Sequence, residues 1–421
     1  MLFSLLLQCC ATAARLPEKE GRQDRYKGPD AVLHYLNKGL MLHYSGNFKD
    51  SNLSLEKAET AMEALYTKSV SKEAASLMIN DYTLSYRGED FENVMTNLFM
   101  ALNYIFMEQW EEALVEARKV DNKLNVINNR HDPDQRNVYS EDAFVRFMMG
   151  VLYESQNEIN ESFISYRNAE KTYKTYNYLY GVAVPQVLLL KLINAASAMH
   201  FEDQLAYYRN KYKSIKPLAS SAVHRFGEVY FLHYNGLCPY KVEDSLVAIL
   251  PDRYVLKIAI PKFKRRLYKI KRCEIILRSI DGRTVYRTHT EIGEDIGSIA
   301  IMNLKNRIAR IKAKAVVRAT AKYMAAKGVA KIVGDKKGKN WGLFAQQVLN
   351  AAAVVTERAD LRFCNLLPDR IDIGYLRLPA GTYKVTVHTI DAKGNIVDRI
   401  DLSDIRVVDG EKNFLSFRTS Q

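Results

Sequence analysis

The sequence predicts an α+β fold: an irregular α-solenoid followed by an antiparallel β-sandwich that carries a basic helical-hairpin insertion. Three observations predict it. Apolar residues recur at three and four from Asp30 to about Arg225, and from Gly227 they alternate or run continuously; helical periodicity then returns at about 297–358. With 421 residues and 48% apolar content, the chain is long enough for two or three domains with real cores. The expected boundaries are 1–29 for a leader and mobile tether, 30–225 for helical repeats and 226–421 for the β-domain.

The N-terminus, MLFSLLLQCCATAARLPEKE, has an apolar run at Leu2–Leu7, then small residues, then a charged tail, as at the end of a secretion signal. It lacks the basic n-region of a full signal. Leu7-Gln8-Cys9-Cys10 resembles a bacterial lipobox, in which a leucine precedes the modified cysteine by three residues and a small residue stands just before it. Cys10 fits better than Cys9, because Cys9 is the smaller preceding neighbour and Gln8 a poor one. The competing readings are ordinary cleavage after Ala11-Thr12-Ala13 and an uncleaved apolar terminus of a cytosolic protein. No apolar run reaches the roughly 18 residues needed to span a bilayer as a helix. The expected placement is therefore lipid-anchored, in the bacterial envelope and facing the periplasm, with the membrane as a partner through the anchor.

From Asp30, read as an N-cap after Pro29, glycine is sparse and one spacing recurs three times. The first copy is Gly39, Leu42, Gly46, Phe48, Ser51, Leu55 and Ala58; the second is Ala101, Tyr104, Glu108, Trp110, Ala113, Ala117 and Val120. The third is Gly150, Tyr153, Asn157, Ile159, Ser162, Tyr166 and Ala169. The spacing resembles the tetratricopeptide pattern, in which small residues sit where paired helices meet and large ones fill the groove against the next pair. A fourth, degenerate pair is expected from Val184 to Lys213, with Ala195, Phe201 and Tyr208. The copies stand 62 and 49 residues apart, not the roughly 34 of a regular repeat, so extra segments intervene, including the polar NNRHDPDQRN at 128–137. The inward positions of the first helices read Leu36, Leu40, Leu98, Leu102, Phe147 and Val151. They make an apolar groove without the Lys and Asn set of a carboxylate clamp, suited to an apolar helix of another envelope protein or to the chain's own β-domain.

Strands are predicted at EVYFLHY, YVLKIAI, CEIILRS, IDIGYLRL, TYKVTVHTI and FLSFRT, with turns at Asp281-Gly282 and Lys393-Gly394-Asn395. Helices at about Gly297–Val333 and Gly342–Arg358, separated by GDKKGKNWG, interrupt them and are expected to pack on one sheet.

The formal net charge of +13 is local. Residues 1–225 carry 26 Lys and Arg against 28 Asp and Glu, whereas residues 261–339 carry 22 against 6. Within that segment Arg307, Arg310, Lys314, Arg318 and Lys322 step by three or four into a cationic stripe, opposite an apolar one of Ile301, Leu304, Ile308, Ile311 and Ala315. Lys264, Arg265 and Arg266, with Lys262, Lys269, Lys271 and Arg272, add a cationic strand end. One reading is a solvated face over a buried stripe. The other is contact with an acidic partner or an acidic surface such as phospholipid headgroups, at ~1 kcal/mol per nearby cation. Nucleic acid is not an expected partner, since no reader motif is present.

Chemistry finds little purchase. Gly334-Asp-Lys-Lys-Gly338-Lys339 has one residue too few for a phosphate loop and lacks the following Ser or Thr, so it reads as a solvated turn. The eight histidines are dispersed, and His34 and His43 lie on the first repeat's helix. Asp369 with Asp372, and Asp401 with Asp404, read as turn residues of β-edge loops. Beyond the lipobox only Cys238, Cys273 and Cys364 remain, which argues against a disulfide framework while leaving one pair able to bridge. No cofactor or metal is expected.

HYNGLCPYKVE (His233–Glu243), NLKNRIARIKAKAVVRATAKY (Asn303–Tyr323), ERADLRFCNLLPDRI (Glu357–Ile371) and LRLPAGTY (Leu376–Tyr383) together resemble an uncharacterised family of bacterial tetratricopeptide-type envelope lipoproteins. The closest marks are Ala359, Asp360, Arg362, Leu367, Pro368 and Ile371. The resemblance implies an outer-membrane lipoprotein, loosely associated with lipoproteins that activate peptidoglycan synthases, and implies no catalytic residues. Asp360 and Arg362 are expected to cap and pair at a helix end, and Leu367-Pro368 to stop the helix. The functional expectation is a non-enzymatic envelope scaffold. Its alternatives are a cell-wall or glycan-acting enzyme with the repeats as a substrate arm, and a cytosolic assembly scaffold.

Overall fold

The structure is a computed structural model that describes residue 26 and residues 28–70, 81–129, 137–215 and 226–420. Cys9 and Cys10, and most of the polar stretch 128–137, lie outside the described residues. The fold is α+β, with helices first and antiparallel-rich sheets after them.

Eight α-helices precede the sheets among the described residues: α1 (Ala31–Tyr44), α2 (Phe48–Val70), α3 (Asp90–Phe106), α4 (Trp110–Asn129), α5 (Ala143–Ser155), α6 (Ile159–Tyr180), α7 (Gln186–Ala198) and α8 (Glu202–Lys211). They form four successive pairs joined by one kind of turn. Gly46, Glu108, Asn157 and His200 each take positive φ, and in each turn the next amide reaches back five residues: Asn47 to Leu42, Gln109 to Tyr104, Glu158 to Tyr153 and Phe201 to Ala196. That bond satisfies an otherwise orphaned helix-end carbonyl. The aligned small residues also do one job. A Cβ added at Gly39 would stand 2.5 Å from Leu55, and one at Gly150 2.3 Å from Tyr166. The second pair has Ala101 and Ala117 at the same positions, both buried, so a smaller neighbour there admits a methyl.

Ten strands follow: β1 (Gly227–Asn235), β2 (Tyr240–Ile249), β3 (Val255–Lys264), β4 (Arg272–Ser279), β5 (Val285–His289), β6 (Glu291–Glu294), β7 (Arg370–Leu378), β8 (Gly381–Ile390), β9 (Ile396–Val407) and β10 (Lys412–Thr419). One four-stranded sheet runs β10-β1-β7-β6, another β5-β4-β8-β9, and β2 with β3 makes a separate hairpin. The expectation of a wholly antiparallel arrangement is corrected at β10, which pairs in parallel with β1. Four strands, β2, β5, β6 and β9, escaped the reading of period. Of these β9 carried a signal, with Ile400 and Leu402 alternating against charges.

Every residue of β1 is buried, so its two faces serve two cores. Val229 and Phe231 join Ile275, Leu277, Val385 and Val387 between the two large sheets. Tyr230, Leu232 and Tyr234 join the helices in the larger core. There the Tyr234 ring lies 5.2 Å from His43 and 5.8 Å from Phe99, while Phe414 of β10 meets Trp110 at 6.1 Å. Each such side chain contributes roughly 1.5–3 kcal/mol by leaving water. A charged seam reinforces the junction. Lys191 of α7 reaches Glu154 of α5 at 2.8 Å and also Glu228 of β1, which Lys412 of β10 approaches at 3.4 Å. Burial pushes the Glu228 carboxyl up, but the two lysines outweigh it and hold it well below the usual range.

Between β6 and β7 the chain departs into α9 (Ile296–Lys337) and α10 (Lys339–Thr356). Asp295 caps α9 by accepting the Ser298 amide at 2.7 Å. The nine-residue linker expected between these helices shrinks to Gly338, at φ +99°, because its lysines are tolerated in a helical end and its other glycines serve packing. A Cβ on Gly342 would stand 2.5 Å from the Ala330 carbonyl oxygen. The small residues let the two helices close tightly around a one-residue bend.

Candidate functional site

The feature that stands out from the packed body is the α9–α10 arm, and its construction begins at β3. The hairpin of β2 and β3 braces the arm at three places. Glu357, just past α10, accepts from Arg318 of α9 at 2.7 Å and from Lys322 at 2.7 Å, while its carbonyl accepts from Lys257 of β3 at 2.9 Å. Burial pushes the Glu357 carboxyl up, yet the hydrogen bonds and charges of Arg318 and Lys322 hold it below the usual range. Asn350 of α10 acts as a substitute strand partner, accepting the Val255 amide at 3.0 Å and donating to the Val255 carbonyl at 2.7 Å. Asp252, in the β2–β3 turn, accepts from the Tyr323 hydroxyl at 3.0 Å and from the Gln346 amide at 3.1 Å.

These braces change the reading of the cationic residues. Arg318 is only 4% exposed and, with Lys322, faces Glu357. Arg307 points at Glu89 and Asp90 at the start of α3. Arg265 reaches Asp369 at 3.4 Å and Ser298 at 2.5 Å, and Arg266 donates to the Cys238 carbonyl and lies over the Tyr240 ring. Lys264 and Arg310 are exposed and Lys314 is half-buried. The stripe is real as a spacing, but much of it is an internal clamp. Its carboxylate partners lie 39 and 218 positions away in sequence, beyond the reach of any helical period.

The six groove positions, Leu36, Leu40, Leu98, Leu102, Phe147 and Val151, are all buried in the core that also holds Tyr230, Leu232 and Tyr234. Of the two occupants expected for this face, an apolar helix or the chain's own β-domain, the sheet is the one that shares its core.

Beyond the Asp252 contacts the arm is covered, among the described residues, only by its own two helices. Trp341 is 58% exposed and Phe344 61%, with Met324, Val329, Ile332, Leu343 and Val348 exposed around them. Lys331, Lys336, Lys337 and Lys339 are exposed at the same end. Reading α9 for its stripe missed this surface. The signal lay in α10, KNWGLFAQQVLNAAAVVT, whose sole charge is Lys339 and which therefore has more apolar surface than one partner helix covers. On the β2 side, Leu246, Val247 and Ile249 are exposed as well.

Several titratable groups elsewhere lie within packed contacts. Asp369 and Asp372 are buried, which corrects their reading as edge-loop residues. Asp369 accepts from the Tyr268 hydroxyl at 2.7 Å, and Asp372 accepts from Arg370 at 3.2 Å and Asn235 at 3.1 Å. Between helices and β6, burial pushes the Asp142 carboxyl to about 6 and raises that of Glu294 well above the usual range, with Tyr139 donating to the former and Tyr176 to the latter. Asp30 stands at the N-cap of α1 without capping it; its carboxylate accepts instead from Arg362, which also grips Asp360 and the Leu84 carbonyl. That grip ties the segment after α10 to the first helix. Cys238, Cys273 and Cys364 are free and buried, and burial raises all three thiols. Among the described residues no group of three or more His, Cys, Asp or Glu is placed to hold a metal ion. Two internal spaces, beside Leu36 and Cys364 and beside Lys322 and Glu357, measure about 10 Å³ each, room for about one water.

No protein-family model matches the chain, and no curated protein matches it.

Proposed function

We propose that this protein is a non-enzymatic cell-envelope lipoprotein: Cys10, or Cys9 beside it, carries the lipid, tetratricopeptide-like helix pairs and a β-sandwich form a scaffold for other envelope proteins, and the arm meets an acidic surface. The observation that carries the reading is the filled groove. Because β1, β7 and β10 pack their second face into the helix pairs, helices and sheets make one core, suited to holding surfaces at fixed positions. With that face filled, partner proteins meet the outer side of the pairs, where Val115, Val126, Tyr178 and Tyr207 are exposed. Peptidoglycan-synthesis or outer-membrane assembly is the setting the family resemblance implies.

The test starts from the chain expressed with its native upstream region, beside a Cys9→Ala, Cys10→Ala variant. Fractionation and the intact mass of the N-terminal fragment are expected to show a diacyl or triacyl adduct in the envelope, lost in the variant. Photo-crosslinkers at Tyr178 and Tyr207 are expected to capture envelope proteins, and no turnover of cell-wall glycan is expected. An unmodified N-terminus in the cytosol, or glycan cleavage, overturns the reading.

A further inference from the structure

We infer that the distal end of the arm is a membrane-inserting site, whose occupant is the headgroup and upper acyl region of an anionic lipid bilayer. The inference rests on the placement of the protein in the envelope and names what the arm touches there. It relocates the contact from the cationic stripe to residues nearer the tip.

Four observations carry it. Residues 324–349 hold five lysines and one acidic residue, Asp335, so the end is cationic where Arg307 and Arg318 of the stripe are already matched to Glu89 and Glu357. That charge complements anionic lipid. Second, Trp341, Phe344 and Val348 recur at three and four on one side of α10 while Leu343 faces another way, and Ile332 adds α9. A protein groove reads a single stripe, whereas lipid accepts an apolar end on every side. Trp beside lysines is the composition of the bilayer interface, where the ring sits at headgroup depth and long basic side chains bend back to the phosphates.

Third, the bend is fit to enter a poorly hydrated layer. The Gly338 amide donates to the Gly334 carbonyl, and the Gly338 carbonyl accepts from Trp341 and Gly342, so the one turn residue has both its backbone groups paired. Fourth, the reach is right. The last brace on α9 is Lys327 against Asp252 at 3.8 Å, and the helix continues to Lys337, roughly 15 Å farther at 1.5 Å per residue. That matches the roughly 5–10 Å by which an interfacial helix sinks, with clearance for the braced body.

The test uses the full chain carrying Cys9→Ala and Cys10→Ala, so that no lipid anchor contributes, in a Trp110→Phe background that leaves Trp341 as the sole indole. Vesicles of phosphatidylcholine alone are compared with vesicles containing phosphatidylglycerol, and chain-brominated lipid reports depth through quenching of Trp341. Binding to anionic vesicles with quenching is expected. Lys331→Gln, Lys336→Gln and Lys337→Gln together are expected to weaken it roughly a hundredfold. Trp341→Ser with Phe344→Ser is expected to weaken it about tenfold or more. Ile396→Ser, an exposed apolar residue on β9, is expected to change nothing. No binding to anionic vesicles, indifference to the tip substitutions, or protection of Trp341 by a solubilised envelope protein in place of lipid overturns the inference. A cytosolic protein whose tip still enters vesicles would sink the envelope reading alone; an anchored protein whose tip ignores them would sink this one alone.

Discussion

Glu357→Gln tests how the arm is held. The carboxylate receives Arg318 through Nε at 3.2 Å and Nη2 at 2.7 Å, and Lys322 through Nζ at 2.7 Å. Arg318 and Glu357 side chains retain 5% and 2% of their exposure, so the substitution strands a guanidinium in a dry site beside a second cation. Removing one member of such a buried pair costs about 3–5 kcal/mol. Lys322 keeps a quarter of its exposure, and water screens its share, so the lower end, about 3 kcal/mol, is the expected loss. Asn350 and Asp252 still grip the hairpin, and the large core is untouched, so the loss is local. Hydrogen exchange is therefore the decisive assay: amides of residues 312–356 should open sooner while those of β1 and α3 keep their protection. Replacing both partners, Arg318→Met with Glu357→Leu, should recover most of the loss, since the buried guanidinium goes with its carboxylate and Lys322, a quarter exposed, has water to turn to. A Glu357→Gln protein whose arm exchanges as slowly as the parent, with stability within about 1 kcal/mol, would refute the clamp.

Three further outcomes follow from the same contacts. Glu108 is exposed at positive φ, which strains an L-residue by about 1–2 kcal/mol, so Glu108→Gly should raise stability by part of that amount, read as a higher urea midpoint, while Gly46→Ala lowers it. Gly150→Ala should cost about 1–3 kcal/mol in equilibrium unfolding, because its methyl meets the fully buried Tyr166 ring. Two buried groups give opposing pH effects. His43, between Asn103 and Tyr234, is lowered by burial to about 4, so its contribution is complete above 6.5 and falls away between 6.5 and 4, by about 3 kcal/mol. Asp142, raised by burial to about 6, binds its proton more readily in the fold, so its contribution grows as pH falls from 6 to 3.8 and is absent above 6. Relative to the parent, Asp142→Asn should be the more stable at pH 8 and lose that advantage by pH 4, as read from denaturation midpoints; parallel curves would rule this out.

Local rules carried the elements. The offset of seven from Gly39, Ala101 and Gly150 to Gly46, Glu108 and Asn157 is the length of a helix's final turns plus a left-handed step, and the offset of sixteen to Leu55, Ala117 and Tyr166 is the return of the partner helix. Both are contacts within one helix pair, so periodicity records them. The predicted strands also stand on contiguous apolar runs. What stayed hidden was short or mixed, as at β6, or exposed, as at β2, where burial does not write a pattern.

Sequence by itself determined the α+β class, the helix pairs, the boundary near Gly227 and the concentration of positive charge in 261–339, because each depends on residues within a few turns of one another. Tertiary structure alone decided what those features face. Glu89 and Glu357 absorb the cationic stripe, β1 and β10 fill the apolar groove, and the weakly charged α10, braced on β3, presents Trp341 and Phe344. The reason is physical: a period fixes which side chains share a face, but a face becomes a core, a clamp or a contact surface only through what distant segments bring against it, and burial and ion pairing are properties of that meeting.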